Sequence, residues 1–152
     1  MNDKEGRPEA AGQKVAVIVS RFNQNITDRL LQGAREAFAR SGGAEEDLTV
    51  VKVPGAYELP LAARKLAGGQ YDGIVALGAV VRGETPHFDY VCSAASEGLL
   101  RVMLDTGVPV GFGVITTDTI AQAMDRAGGK AGNKGAETML TVLEMASLLR
   151  QL

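Results

Sequence analysis

The chain alternates between two hydrophobic rhythms. Residues 14–20, Lys-Val-Ala-Val-Ile-Val-Ser, form an unbroken and largely β-branched apolar run. A run that short reads as a strand buried on both faces. A polar turn, residues 21–25, follows. From Ile26, apolar residues recur at Leu30, Leu31, Ala34, Ala37 and Phe38, the spacing of a helix packed on one side. Gly42 and Gly43 end it. The alternation then repeats. Residues 48–53 predict a second strand, closed by Pro54-Gly55, and residues 58–67 a short helix stopped by Gly68-Gly69. Residues 73–81 predict a third strand. After the loop from Arg82 to His87, residues 89–105 predict a long helix with Val91, Ala94, Ala95, Leu99, Val102 and Met103 on one face. Residues 108–115 predict a fourth strand. Asp118 or Thr119 is placed to cap a helix reaching Ala127. A glycine-rich connection, residues 128–135, leads to a last helix over residues 136–149.

Strands that alternate with helices imply an α/β domain: a parallel sheet covered by helices on both faces. Right-handed crossovers bring every strand-to-helix loop to one edge of that sheet, where ligands of open α/β sheets bind. Those loops are residues 21–25, 54–58, 82–88 and 116–118. Residues 1–13 are polar and predict an arm, either mobile or ordered only against a partner. Residues 14–152 form one domain, and no repeat or linker divides them.

Composition narrows the function. Sixteen Lys and Arg against 18 Asp and Glu leave a net charge of -2, without the cationic surplus of a general nucleic-acid clamp. Cys92 is the only cysteine and His87 the only histidine, which excludes an internal disulfide and a multi-histidine metal cluster. No segment approaches the roughly 20 apolar residues of a membrane span, and the polar start has no signal-peptide core. The expectation is a soluble, cytoplasmic protein. The 19 glycines point to tight turns and close backbone approach around a small ligand.

The residues with chemistry lie in the edge loops. An imidazole ordinarily titrates near pH ~6.5, suited to proton transfer, and His87 sits just before a helix; a packing or surface histidine is the competing reading. Arg82-Gly83-Glu84-Thr85 precedes it. Amides of a glycine-containing loop at a helix start make an anion pocket, and Thr85 adds a hydroxyl, although the same residues also fit a plain turn stiffened by Pro86. Arg126, Lys130 and Lys134 surround the glycine-rich connection. Lys130 reads as a solvated cation, whereas Arg126 has the planar fork of a phosphate clamp. Phe22 and Tyr57 are aromatics in polar loops, placed to stack on a planar ring; for Phe112 and Phe38, core packing competes. The backbone of Gly55-Ala56-Tyr57-Glu58 offers amides to a heterocycle edge. No GxGxxG follows a strand, so a dinucleotide site is not supported. Patterning alone stops at an α/β domain that binds a phosphorylated, planar small molecule.

Four segments carry a family resemblance: Arg21-Phe22-Asn23, the run from Val53 to Glu58, the run from Gly78 to Tyr90, and Gly132-Asn133-Lys134-Gly135. Together, in this order, they resemble the 6,7-dimethyl-8-ribityllumazine synthases of riboflavin biosynthesis, over about residues 15–149. Tyr57 stands where Phe is common in that family, and keeps the ring. The resemblance implies a single-domain three-layer αβα sandwich, flavodoxin-like, with a mainly parallel four-stranded sheet and an N-terminal arm that adds a strand to a neighbour. It implies a transferase that condenses 5-amino-6-(D-ribitylamino)uracil with 3,4-dihydroxy-2-butanone 4-phosphate, without a cofactor or metal. Phe22 would stack on the pyrimidine. Ala56, Tyr57 and Glu58 would hold the ring and ribityl chain, with backbone contacts from Ala79, Val80 and Val81. Glu84, through its amide, and Thr85 would bind the phosphate, clamped by Arg126 and supported by Lys134. His87 would transfer protons, and Phe112 would cover the ring from a neighbouring subunit. The resemblance also implies a homopentamer. The short glycine-rich connection fits further closure into an icosahedral shell, with riboflavin synthase as a possible associate; Pro8 removes a donor from an arm that would pair as an edge strand. Two rival readings remain: a non-catalytic flavin- or lumazine-binding relative, against which His87, Thr85 and Arg126 argue, and a generic flavodoxin-like phosphate-binding domain, which explains the strand order but not the placement of Phe22 and Tyr57.

Overall fold

A computed structural model describes residues 1–152. Four strands, β1 (Val15–Ser20), β2 (Leu48–Val53), β3 (Gly73–Val81) and β4 (Val110–Thr117), pair in the order β2-β1-β3-β4, all parallel. Five helices connect and cover them: α1 (Gln24–Arg40), α2 (Leu59–Ala67), α3 (His87–Thr106), α4 (Ile120–Asp125) and α5 (Lys134–Leu149). The chain is an α/β sandwich of three layers, as the pattern predicts.

The period of two along the strands divides the core. Val15, Val17 and Val19 of β1, with Val75, Leu77 and Ala79 of β3, face one way and pack with Leu30, Phe38, Met139 and Leu143 of α1 and α5. Ala16 and Ile18, with Ile74 and Ala76, face the other way against Leu59 and Ala63 of α2 and Ala95, Leu99 and Val102 of α3. β1 is buried throughout, because both faces of this strand are covered. α1 and α5 approach closely at two glycines. A Cβ on Gly135 would run into the Leu30 carbonyl, and one on Gly33 into the Asn133 side chain.

The structure moves several boundaries. α3 starts at His87, two residues before the predicted 89, and ends at Thr106. There Gly107 takes φ 72° and its N–H donates to the Met103 carbonyl at 2.9 Å, a conformation glycine adopts without strain. β4 starts at Val110 rather than 108; the Pro109 carbonyl instead accepts from Ile74 N–H at 2.9 Å. Thr119, not Asp118, caps α4. Its side chain accepts from the Gln122 N–H while the Gln122 side chain accepts from the Thr119 N–H, a reciprocal capping box. α4 stops at Asp125, short of Ala127, because the chain turns into a small antiparallel hairpin, β5 (Ala127–Gly129) and β6 (Gly132–Asn133). α5 starts at Lys134, two residues early, because Asn133 caps it from Oδ1. Residues 1–13 form no strand. Ala10 and Gln13 are buried, the Arg7 N–H donates to Ser147 Oγ, and Gly6 lies against the Glu144 carbonyl of α5. This segment thus finds apolar cover and hydrogen-bond partners on its own chain.

Candidate active site

The strand order reverses between β1 and β3, the switch point at which a crevice opens in such sheets. A cleft of about 690 Å³ lies there, at the carboxyl ends of the strands. That volume suits a small molecule. Three strand ends build it.

The first is the turn after β1. The Arg21 and Phe22 N–H groups donate to the carbonyls of Val53 and Pro54, at 2.8 and 3.0 Å, stitching this turn to the end of β2. Asn23 holds a left-handed conformation, φ 60° and ψ 47°, and its Nδ2 donates to the Ala79 carbonyl at 2.9 Å. Asn tolerates this region better than other side-chain-bearing residues. The bend leaves the Phe22 ring 71% exposed at the mouth of the cleft.

The second is the turn after β2. Pro54-Gly55 leads into a single 3-10 turn, Ala56–Glu58, at the head of α2. Ala56 is buried, while Tyr57 turns its ring outward, 62% exposed. Ala56, Tyr57 and Glu58 all line the cleft. The third is β3 and the loop beyond it. Ala79, Val80 and Val81 form one wall, and Gly83, Thr85, His87 and Phe88 continue it. Thr85 Oγ1 accepts from the His87 N–H at 3.4 Å, which leaves the Thr85 hydroxyl proton free to donate. The 20-residue α3 points its N-terminus at this loop, a favourable field for an anion.

The cleft therefore brings together Phe22, Ala56, Tyr57, Glu58, Ala79, Val80, Val81, Thr85 and His87. Four other candidates do not line it. Glu84 is exposed between two lining residues and does not itself line the cleft. Arg126 caps the end of α4, with Nη1 donating to the Gln122 carbonyl at 3.1 Å. Lys134 opens α5, and its N–H donates to the Arg126 carbonyl at 2.8 Å, so the two cations share one corner. Phe112 is third in β4, opposite Ala76. Five residues separate it from the end of β4, about 16 Å along a strand. It is 40% exposed on the edge strand.

Sequence reasoning assigned no role to Asn23 or Phe88. The Asn23 side chain meets a carbonyl 56 positions away, so only the motif around Phe22 could have marked it. Phe88 follows His87 directly and reads as the start of a helical face. Cys92 lies one turn into α3, and burial pushes its thiol pKa up, with the Asp89 carboxylate adding to the shift.

An α/β sheet with a cleft at its switch point, lined by two exposed aromatic rings and met by the N-terminus of α3, has the layout of a small-molecule site. The family comparison is more specific. The family profile of 6,7-dimethyl-8-ribityllumazine synthase matches residues 12–150. A 6,7-dimethyl-8-ribityllumazine synthase of Nitratidesulfovibrio vulgaris strain DP4 is 55% identical over 149 residues, 97% of this chain and 96% of that one. One of Desulfatibacillum aliphaticivorans is 55% identical over 148 residues, with the same coverage. The chain belongs to the lumazine synthase family of riboflavin biosynthesis.

Proposed function

We propose that the cleft condenses 5-amino-6-(D-ribitylamino)uracil with 3,4-dihydroxy-2-butanone 4-phosphate to give 6,7-dimethyl-8-ribityllumazine, phosphate and water. One observation carries the assignment of roles: Phe22, Tyr57, Thr85 and His87, from three separate loops, line a single cleft in a chain of this family. Phe22 and Tyr57 give the pyrimidine two aromatic surfaces. Glu58 accepts from ribityl hydroxyls, and the backbone of Ala79, Val80 and Val81 meets the ring edge. The Glu84 and Thr85 amides, the Thr85 hydroxyl and the start of α3 receive the phosphate.

The primary amine of the pyrimidine attacks the ketone carbonyl, and loss of water leaves an imine between the two substrates. Removal of the C3 proton then expels phosphate from C4, and the resulting enol tautomerises to a ketone at C3 with a methyl group at C4. The ribityl-bearing nitrogen then attacks the second carbonyl, and a further dehydration closes the ring. The imine joins substrate to substrate, so no lysine nucleophile is required. His87 lies beside Thr85 at the phosphate end, where it moves protons in the elimination and dehydration steps. Holding both reactants in one cleft supplies much of the acceleration.

The site is completed by a second copy of the chain. Phe112, Arg126 and Lys134 are exposed and lie outside the cleft of their own chain, where a neighbour's cleft can receive them. The outer face of α2 and α3 supports self-association: Leu61, Leu100 and Leu104 are 78%, 51% and 71% exposed, and Tyr90 72%. Large apolar side chains left exposed on two neighbouring helices favour an interface. This assembly is a homopentamer in the cytoplasm, with closure into an icosahedral shell and riboflavin synthase association as further steps.

Mixing the purified protein with both substrates and following lumazine fluorescence tests the activity. The expected result is enzyme-dependent product formation that saturates in each substrate. A rate equal to that of the substrates alone would overturn the reading.

A further inference from the structure

Arg82 is the first residue after β3 and does not line the cleft. Its contacts nevertheless converge on the loop that does. Its N–H donates to the Thr117 carbonyl at 2.9 Å, extending the β3–β4 pairing by one bond. Its guanidinium Nε donates to Asp118 Oδ1 at 2.8 Å, and Nη1 lies 3.8 Å from Asp89 Oδ1. The guanidinium carbon is 4.3 Å from the centre of the Phe88 ring, within range of a cation–π contact. Asp118 is itself anchored, since its N–H donates to Gln122 Oε1 at 3.0 Å within the capping box of α4. A line of contacts thus runs from the head of α4 through Asp118 and Arg82 to the first turn of α3.

An isolated exposed ion pair contributes little. Here one rigid planar group is fixed by two carboxylates and a ring at once, a role for which lysine lacks the shape. The loop it ties carries Gly83, Thr85 and His87, and the ring it faces is itself a cleft wall.

We propose that Arg82 is a positioning residue that fixes the Thr85–His87 loop and the Phe88 ring in the geometry that receives the phosphorylated ketone. It acts through these neighbours and touches neither substrate. The inference rests on the functional reading above.

The test is steady-state kinetics on the assembled enzyme with Arg82→Gln, Arg82→Lys, Asp118→Asn and the Arg82→Gln/Asp118→Asn double variant, each with its melting temperature. Small misplacements at a reacting centre cost ~10-fold or more. Arg82→Gln should raise KM for the phosphorylated ketone by about that factor. KM for the pyrimidine, held largely by the β1 and β2 loops, should stay within about twofold. Arg82→Lys should recover part of the loss, and the double variant should be no worse than Arg82→Gln, since both members act through one contact. Unchanged constants in Arg82→Gln, an equal rise in both KM values, or additive losses in the double variant would overturn the proposal. A wild-type protein that makes no lumazine would remove the functional reading itself. An active wild type with an unaffected Arg82→Gln would remove only the role of Arg82.

Discussion

At the scale of single residues, the proposed proton transfer and the proposed phosphate binding each have their own variant. His87→Ala should slow lumazine formation roughly ten- to a hundredfold without abolishing it, because general acid–base help is often worth ~10²–10⁴ while binding of both reactants persists. Turnover equal to wild type across the pH range would remove His87 from the mechanism. Arg126→Ala should raise KM for the phosphorylated ketone far more than for the pyrimidine. Charge-assisted hydrogen bonds contribute roughly 1.5–3 kcal/mol, a factor of ~10–100, and Lys at this position should restore only part of it. Equal weakening toward both substrates would argue against a phosphate contact. Cys92 provides a test outside the cleft. Burial and the Asp89 carboxylate raise its pKa, so the thiol stays protonated at pH values where an ordinary cysteine has begun to ionise. Since the thiolate is the nucleophile, alkylation by iodoacetamide at pH 8 should be slower than that of a free cysteine. The sign for stability follows: the folded chain holds this proton more tightly, so the contribution is lost as pH rises above the ordinary cysteine value. Alkylation at the free-cysteine rate would contradict the placement of Cys92.

At the scale of elements, Asn133 shows how the glycine-rich connection works. Its Oδ1 accepts from the Gly135 and Ala136 N–H groups at 2.8 and 3.1 Å, and its Nδ2 donates to the Arg29 carbonyl at 3.0 Å. One side chain caps α5 and ties it to α1. Loss of a helix cap costs about 1 kcal/mol, so Asn133→Ala should lower unfolding stability by at least that amount in urea titration; an unchanged midpoint would mean the cap contributes nothing. Gly135→Ala tests the helix crossing, where the added Cβ has no room beside the Leu30 carbonyl. The pattern of β1 and β3 was readable because runs buried on both faces are apolar at every position. β5 and β6 were not, because their glycines carry no periodicity and the hairpin is set by backbone partners. The cover found by Gly6, Ala10 and Gln13 was equally illegible, since much of it comes from α5 and the Ser41 carbonyl, distant in the sequence. In the cleft, Phe22, Tyr57 and His87 stood out as unusual residues in polar loops at a predictable sheet edge. The contacts of Arg82 did not, because Asp118 lies 36 positions away and becomes a neighbour only through the β3–β4 pairing.

At the scale of the whole molecule, one chain holds a cleft at its switch point and, elsewhere on its surface, the three exposed residues that the proposed function assigns to a neighbour's cleft. Phe112 is on the outer edge strand, while Arg126 and Lys134 share the corner between α4 and α5. A head-to-tail ring would join these surfaces, since in a heterologous interface the two contacting patches differ. The shared site gives a forecast that a self-contained site does not. Take His87→Ala and Arg126→Ala chains, each impaired alone. In a mixed ring, a cleft on an Arg126→Ala chain retains His87, and an adjacent His87→Ala chain presents an intact Arg126 to it. At equal, random mixing roughly a quarter of the interfaces combine both intact residues. Refolding the two together should therefore restore activity to about that fraction of wild type, with native mass spectrometry confirming rings of mixed composition. No recovery in demonstrably mixed rings, or a fully active monomer, would place the whole site within one chain.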